Sequence, residues 1–254
     1  MLKTLNIQSI SLMLIISAIA MFSSCNTNKY LKDGEQYVTT SKYKIQADQK
    51  IKGKNDLQFE LSTLEKQKPN KKFLGLARMG LWQHYRVQSK KDSSELNKWN
   101  KWIEKVIAEQ PSILDSLQTV ESAENMTISL KRRGYFDAEV SYDITRKKNT
   151  AYSSYDVNLK SLYTIDTTTL TSKDTAVIRL IDRELDNSFL KNGAAVSFEN
   201  YQKERTRIRT ILRNNGFAKF QTNYITRFRG DSTSTDKHKV KIEYDIITPT
   251  DTTY

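Results

Sequence analysis

The chain carries one local pattern twice: a helical segment ends at a glycine, an aromatic residue follows, and an alternating apolar run comes next. The first copy is "SLKRRGYFDAEVSYDI" (residues 129–144) and the second is "ILRNNGFAKFQTNYITRF" (residues 211–228). Glycine most readily adopts the left-handed backbone that ends helices, and alternation of apolar and polar residues predicts a strand with one covered face. The recurrence therefore predicts a repeated structural module and not a single catalytic turn.

We interpret the glycine–aromatic step of each copy as a joint between a helix and a strand. In the first copy Gly134 ends the helix, and Tyr135 and Phe136 hold that end against the sheet. In the second copy Gly216 and Phe217 stand at the matching place. These residues are the predicted structural joints of the two modules.

The first copy of the pattern belongs to a longer series of elements. Its residue patterns predict strands at 42–47, 138–145 and 151–159, with helices at 57–64 and 119–133 between the first two strands. The inward side chains of the second of these strands are predicted to be Ala138, Val140, Tyr142 and Ile144.

The second copy repeats this order of strand, helix, helix, strand, strand. Its patterns predict a short strand from Tyr163, helical stripes at 177–185 and 201–212, and strands at 219–229 and 239–247. Two such series with almost no linker between them predict an α+β fold of tandem β-α-α-β-β modules.

The N-terminus has the pattern of a secretory signal. Lys3 is the only charged residue before the apolar run at 10–22. A membrane-spanning helix needs about 18 or more apolar residues. This shorter run therefore predicts a signal peptide over residues 1–24.

Cys25 is the only cysteine of the chain and follows two small residues, Ser23 and Ser24. A single cysteine in an exported chain could be a free thiol or form an intermolecular disulfide. Its position at the end of the apolar run favours attachment of lipid, such as palmitate chains, to a new N-terminal cysteine, although Phe22 departs from the usual leucine. We therefore predict a bacterial lipoprotein.

The remaining residues divide into a tether and two modules. The tether is predicted at 25–40, the first module at 41–160 and the second at 161–248. Residues 249–254 are predicted to start a linker or a further module. The first module contains a basic and aromatic insertion at 69–111.

The insertion holds all the tryptophans of the chain, Trp82, Trp99 and Trp102. Such a segment could contact a membrane surface or pack its aromatic rings inside the domain. We favour inward packing, because Trp99 and Trp102 are three positions apart and would share one helix face.

The net charge of +12 predicts contact with anionic lipid head groups or acidic partners, and not with nucleic acid. The alternative is that the charges only solvate helix faces.

Residues suited to catalysis are scarce. His84 and His238 are the only histidines, and no nucleophile elbow or phosphate-binding glycine loop is present. Asp182, Glu184 and Asp186 alternate along a predicted helix and point to different sides. We therefore expect no enzyme activity, no metal site and no cofactor other than the covalent lipid.

The order of the elements, with "RRGYF" or "NNGF" between the second helix and the second strand, resembles POTRA domains, the periplasmic modules of outer-membrane assembly proteins. The set "CNTNKYLKDGE", "KPNKKFLGL", "RRGYFDAEVSYDI" and "ERTRIRTILRNNGF" more narrowly resembles the translocation and assembly module lipoproteins of Bacteroidota (TamL), a TamA/BamA-like family. The resemblance covers nearly all of the chain after residue 25. It implies a three-stranded mixed sheet with two helices on one face in each module.

The resemblance also implies a function. Such a chain would be anchored by lipid in the outer membrane, face the periplasm, and act as a docking or chaperone arm in outer-membrane protein assembly and translocation. Its partners would be unfolded outer-membrane protein clients, a periplasm-spanning TamB-like protein or an outer-membrane barrel, and membrane lipid. Members of that family continue into a barrel, whereas this sequence ends at "TPTDTTY"; we expect either a fragment or a short relative without a barrel.

A sheet edge is the binding surface that this fold would offer, because an exposed strand can pair with an extended peptide. In POTRA domains the strand after the second helix occupies that edge, here 138–145 and 219–229. Arg227 and Arg229 could guard the second edge. The predicted binding residues are therefore those of the first edge: Glu139, Val140, Ser141, Tyr142 and Asp143. The alternative function is a structural envelope lipoprotein that binds anionic lipid head groups through its basic and aromatic surface.

Overall fold

The computed structural model describes residues 27–51, 53–72, 78–91, 98–232 and 236–248. The predicted signal peptide at 1–24, the predicted lipid site at Cys25 and the predicted linker at 249–254 lie outside the described residues. The fold is α+β, with two sheets and helices between their strands.

The first sheet is centred on its last strand. Its strands are β1 (Tyr37–Val38), β2 (Lys42–Gln46), β3 (Glu139–Arg146) and β4 (Thr150–Asn158). Strands β1, β2 and β3 all pair with β4, and β1 runs parallel to it. Strands β1 and β2 follow one another along one side of β4, and β3 lies on its other side. The sheet is therefore three strands wide, as predicted, but its first strand is interrupted after Val38 and forms β1 and β2.

The helices of this part of the chain are α1 (Lys54–Thr63), α2 (Met79–Lys91), α3 (Lys98–Val106) and α4 (Ser116–Arg132). Helices α1 and α4 lie side by side, since the Ser129 hydroxyl donates to the Glu60 carboxylate at 2.9 Å. Near the start of α4, the hydroxyls of Thr119 and Ser153 are 3.2 Å apart. Helix α4 therefore packs on the face of β4 whose alternate residues are buried, namely Ala151, Ser153, Tyr155, Val157 and Leu159.

The second sheet repeats this topology. Its elements are β5 (Thr164–Ser172), α5 (Thr175–Asp182), α6 (Phe198–Asn214), β6 (Ile225–Ser232) and β7 (Lys239–Ile246). Strand β7 is central, parallel to β5 and antiparallel to β6. The sheet is therefore mixed and three-stranded, as predicted.

Both helices of this module cover the same face of the sheet. Val177 and Ile181 of α5 and Ile208 and Leu212 of α6 belong to one buried cluster with alternate residues of β7. The β7 residues of that cluster are Val240, Ile242, Tyr244 and Ile246. Their alternation in the sequence is what correctly predicted a strand with one covered face.

Two predicted elements of the second module have wrong boundaries. The strand predicted at 219–229 begins only at Ile225, because Phe217 and Phe220 are both buried and a turn, not an extended strand, lies between them. The stripe predicted at 177–185 is also too long. Helix α5 ends at Asp182, and the side chain of Leu185 is 56% exposed.

The inward packing predicted for Trp99 and Trp102 is wrong. Their side chains are 64% and 46% exposed, and their rings stack on each other with centroids 5.0 Å apart. The spacing correctly placed them on one helix face, but Ile103 is the residue of α3 that is buried.

Contacts within the chain define two compact units that interleave along the sequence. The first comprises the described residues up to Lys42, together with Glu65–Ser122 and Tyr142–Tyr155. The second comprises Tyr43–Leu64, Ala123–Ser141 and the described residues from Asp156 onwards. The module boundary predicted between residues 160 and 161 stays a prediction.

The predicted tether has secondary structure in its described part, a 3₁₀ turn at Thr27–Tyr30 followed by β1.

A buried ion pair lies on α6 in the second unit. The Arg207 guanidinium donates to both oxygens of Glu204, at 2.6 and 3.1 Å, and both side chains are less than a tenth exposed. Glu204 also accepts the Phe189 N–H at 2.9 Å, and Arg207 donates to the Glu184 carbonyl at 2.9 Å. The pair therefore ties the turn after α5 to α6.

We predict that Glu204→Ala lowers the free energy of unfolding by about 3–5 kcal/mol, because it leaves a buried guanidinium without its carboxylate. Urea unfolding measures the change. The matched control is Glu199→Ala, which breaks the exposed ion pair with Lys203 on the same helix and is expected to cost about 1 kcal/mol or less. Equal losses in the two variants would contradict the prediction.

Candidate functional site

Strand β3 lies at an edge of the first sheet. Among the described residues, its backbone pairs with β4 only. The side chains of Glu139, Ser141 and Asp143 are exposed, and that of Val140 is partly buried. All the predicted binding residues therefore lie on one edge strand, and binding there stays a prediction.

The alternation predicted that Tyr142 is an inward, covered residue of β3, but its side chain is not buried. Its side chain is 43% exposed, whereas Val140 and Ile144 on either side are partly buried. The physical reason is position in the sheet: α4 packs on the central strand β4, and the outer strand β3 receives less cover. Alternation predicts which residues share a face, but it does not predict how far the helices extend over that face.

The edge formed by β1 and β2 differs from β3 in length and charge. Strand β2 has five residues and β1 has two. The exposed lysines Lys42 and Lys44 lie on β2 beside Tyr152 and Asp156 of β4. Short, interrupted strands with lysine side chains are typical of edges that resist further pairing.

The two edges of the second sheet are modified in other ways. The chain from Gly193 to Val196 covers the start of β5 through backbone bonds, including Ile165 N–H to the Ala194 carbonyl and Gly193 N–H to the Ile165 carbonyl, both 2.8 Å. The register of β6 with β7 shifts between Thr226 and Arg229. Such irregularities bend an edge and interrupt its row of donors and acceptors. Strand β3 is therefore the edge best suited to strand addition.

The two predicted joints have matching backbone geometry. Gly134 and Gly216 have φ angles of 102° and 100°. The N–H that follows each glycine reaches back five residues to the helix, Tyr135 to Leu130 at 3.1 Å and Phe217 to Leu212 at 3.0 Å. This is a bonding pattern that closes helices at a left-handed residue.

The surroundings of the two joints differ. A Cβ on Gly134 would lie 2.9 Å from the Val196 carbonyl oxygen, whereas nothing lies within 4 Å of a Cβ on Gly216. Phe217 is buried in the second core, but Phe136 is 42% exposed and meets the Tyr163 ring edge-to-face at 5.1 Å. The pinning roles predicted for Tyr135, Phe136 and Phe217 stay predictions.

A polar cluster, which the sequence did not predict, surrounds Asp137. Its carboxylate accepts the Tyr163 hydroxyl at 3.0 Å and lies 3.4 Å from the Lys237 ammonium and 3.8 Å from the His238 ring. The hydrogen bond from Tyr163 and the nearby cations lower the pKa of Asp137. The pKa of Tyr163 is raised, mainly by burial and to a smaller extent by the hydrogen bond to Asp137.

An apolar pocket of about 380 Å³ also lies in the second unit. Its lining includes the apolar residues Ile128, Phe136, Phe198 and Phe228 and the cations Lys131 and Arg132. The Arg132 guanidinium lies 4.5 Å from the centre of the Phe198 ring. The lining comes from segments far apart in the sequence, so periodicity within any one segment could not reveal the pocket.

Neither a metal site nor a membrane-spanning helix is found within the described residues. No three His, Cys, Asp or Glu side chains of that part of the chain are grouped to hold a metal ion. No helix of that part is long and apolar enough to cross a bilayer. Of the histidines considered for a site, His238 joins the Asp137 cluster and His84 packs against Tyr85.

Comparison with solved structures finds similarity to POTRA regions. The crystal structure of Haemophilus influenzae BamA POTRA3-5 is 11% identical over 86% of this chain and 69% of that chain, with a TM-score of 0.37. POTRA1-2 of the periplasmic domain of Omp85 from Anabaena is 7% identical over 84% of this chain and 96% of that chain, with a TM-score of 0.34. BamA from Haemophilus ducreyi lacking POTRA domains 1-3 is 15% identical over 61% of this chain and 28% of that chain, with a TM-score of 0.34.

No protein-family model matches the sequence, and no curated protein matches it. The candidate site therefore rests on the geometry of the chain's own edge strands.

We predict that Gly134→Ala destabilises the chain more than Gly216→Ala does. Both place a Cβ on a left-handed residue, at about 1–2 kcal/mol, but only the first also meets a backbone carbonyl, which adds about 1–3 kcal/mol. Urea unfolding of the two variants gives the comparison. Equal destabilisation would show that the close approach to Val196 does not constrain the first joint.

We predict that Asp137→Asn destabilises the chain at pH 7 and that this effect is smaller in acid. The folded pKa of Asp137 lies below its ordinary value of 3.8, so its carboxylate stabilises the fold above pH 3.8. That contribution is lost as the pH falls through the lower, folded pKa. Urea midpoints of the native chain and the variant at pH 7 and pH 3 test this. Tyr163→Phe should reduce the same pH dependence, and a difference that is independent of pH would contradict the assignment.

Proposed function

We propose that the chain is a lipid-anchored, POTRA-like docking arm that faces the periplasm and binds extended polypeptides by strand addition at β3. The observation that carries the proposal is the edge position of β3, whose backbone pairs with β4 alone among the described residues. Two β-α-α-β-β series support a modular arm. The apolar run before Cys25 supports export and lipidation.

Strand addition suits a carrier of many clients. Backbone donors and acceptors are the same in every sequence, so an edge strand can bind chains that share no motif. Each added hydrogen bond contributes about 0.5–1.5 kcal/mol, which favours reversible binding along the eight residues of β3. The exposed side chains of Glu139, Ser141 and Asp143 would lie beside the added strand and influence which client sequences bind more tightly.

The partners are part of the same proposal. The resemblance to TamL and to TamA/BamA-like proteins suggests unfolded outer-membrane proteins as clients, and a periplasm-spanning TamB-like protein or an outer-membrane barrel as the receiving partner. No catalytic step is needed for this role, and we propose that the chain is not an enzyme.

We expect a photo-crosslinker at Ser141 to capture outer-membrane proteins or a periplasm-spanning partner in cells. Mass spectrometry identifies the captured chains. The matched position is Lys44, whose side chain is 70% exposed on the opposite edge of the same sheet. Capture of neither class at Ser141, or equal capture at both positions, would contradict docking at β3.

Two proline variants then separate edge binding from loss of the strand. The Lys147 N–H donates to the Thr150 carbonyl at the hairpin turn. In a regular antiparallel ladder, every second N–H of a strand points towards its partner strand. Counted back from Lys147, the Asp143 N–H therefore points towards β4, and the Tyr142 N–H points away from β4. Tyr142→Pro should therefore lower capture while the hairpin remains, since proline removes only an outward donor. Asp143→Pro should lower stability as well. Undiminished capture by Tyr142→Pro would contradict strand addition.

A further inference from the structure

Helix α3 has an apolar face that the described part of the chain leaves exposed. The side chains of Trp99, Trp102 and Val106 are 64%, 46% and 61% exposed. At 3.6 residues per turn these three lie within an arc of about 60°. Scattered exposed apolar residues are ordinary on protein surfaces, but a stacked tryptophan pair that continues into a third apolar residue marks an interaction surface.

Cations border this face. Lys98 and Lys105 are exposed and lie within about 60° of Trp102 around the helix, on the side away from buried Ile103. Long lysine side chains place their charge in water while their stems lie along apolar surface. We call Trp99, Trp102, Val106, Lys98 and Lys105 together the tryptophan face.

The helix that carries the tryptophan face packs against α2. The Glu109 N–H, just after α3, donates to the Gly80 carbonyl of α2 at 3.0 Å. A Cβ on Gly80 would lie 2.8 Å from the Ile107 carbonyl oxygen, so only glycine permits this approach of the two helices. Helix α3 is therefore packed closely on α2 in the first unit.

Helix α2 also contacts the first described residues of the chain. In α2, the Tyr85 ring stacks on Tyr30 at 4.1 Å, and the Tyr85 hydroxyl is hydrogen-bonded to that of Tyr37 at 3.3 Å. Buried Tyr37 also donates to the Thr27 carbonyl at 2.8 Å. Thr27 is two positions after Cys25 in the sequence. The predicted lipid site is thus only a short length of chain from a residue fixed to the unit that carries the tryptophan face.

We propose that the tryptophan face binds the surface of an anionic lipid bilayer. The face lies on the outer side of a helix, which suits a broad bilayer surface. Tryptophan favours the membrane–water interface because its ring is apolar and its N–H is polar. Lysines beside the rings complement anionic head groups. This contact uses residues other than those of β3, so it can fail without affecting the docking role.

Vesicle flotation tests the contact with the unlipidated chain that begins at Asn26 and retains every described residue. Binding is expected to vesicles of phosphatidylethanolamine and phosphatidylglycerol, and to weaken with salt. Trp99→Ala with Trp102→Ala should lower the partition coefficient about tenfold or more. Lys98→Gln with Lys105→Gln should lower it about fivefold per lysine.

Matched controls distinguish binding by the tryptophan face from nonspecific binding by other apolar or charged side chains. Phe59→Ala with Leu117→Ala removes two apolar side chains that are each 72% exposed elsewhere. Lys191→Gln with Lys219→Gln removes the same charge from exposed positions of the second unit. Both controls should bind as the native sequence does. Equal losses in controls and test variants, or equal binding to phosphatidylcholine alone, would overturn the proposal.

A second measurement leaves the tryptophan face itself unchanged. Vesicles with brominated acyl chains should quench the fluorescence of Trp99 and Trp102 in a Trp82→Phe chain, since interfacial helices insert by about 5–10 Å. Absence of quenching would overturn the proposal. So would sedimentation showing that the tryptophan substitutions dissociate a dimer, because the face would then bind a second copy of the chain.

Discussion

The left-handed glycine at the end of each long helix is the backbone constraint on which both modules depend. At Gly134 and Gly216, with φ near 100°, the chain leaves the helix and turns towards the sheet. Within the described ranges, the strand that follows pairs with the next strand along the chain, to which a short hairpin or loop connects it. The last strand of each module therefore lies between the strand that follows the glycine and the first strand of the module. This position makes β4 and β7 the central, most buried strands.

The same topology leaves the two modules with different edges. In the second sheet the segment before α6 bonds to β5, and an irregular register interrupts β6. In the first sheet the interruption falls on the opposite side, between β1 and β2, and β3 lies at the other edge. A repeated fold can thus leave an edge open in one copy and protect both edges in the other, because edge protection depends on loops and bulges and not on strand order.

Sequence periodicity predicted the elements better than it predicted their exposure. Alternation located β4 and β7, since their apolar residues are buried at every second position. The same reasoning failed for Tyr142 and for the pair Trp99 and Trp102. A stripe shows which residues share a face, but contacts from other segments decide whether that face is covered. The Asp137 cluster was missed for a related reason: its members Tyr163 and Lys237 lie 26 and 100 positions away along the chain.

The two proposed interactions have a physical property in common. Strand addition at β3 uses backbone groups, and the tryptophan face uses ring area and lysine charge, so neither requires a particular sequence in its partner. The chain's net charge of +12 has the sign that anionic head groups attract, and it acts over about a Debye length before any contact forms. A chain that must remain at a membrane while it binds unlike clients needs permissive contacts of this kind. A deep, shape-specific cleft would restrict the clients, whereas an open strand edge binds any chain that can extend alongside it.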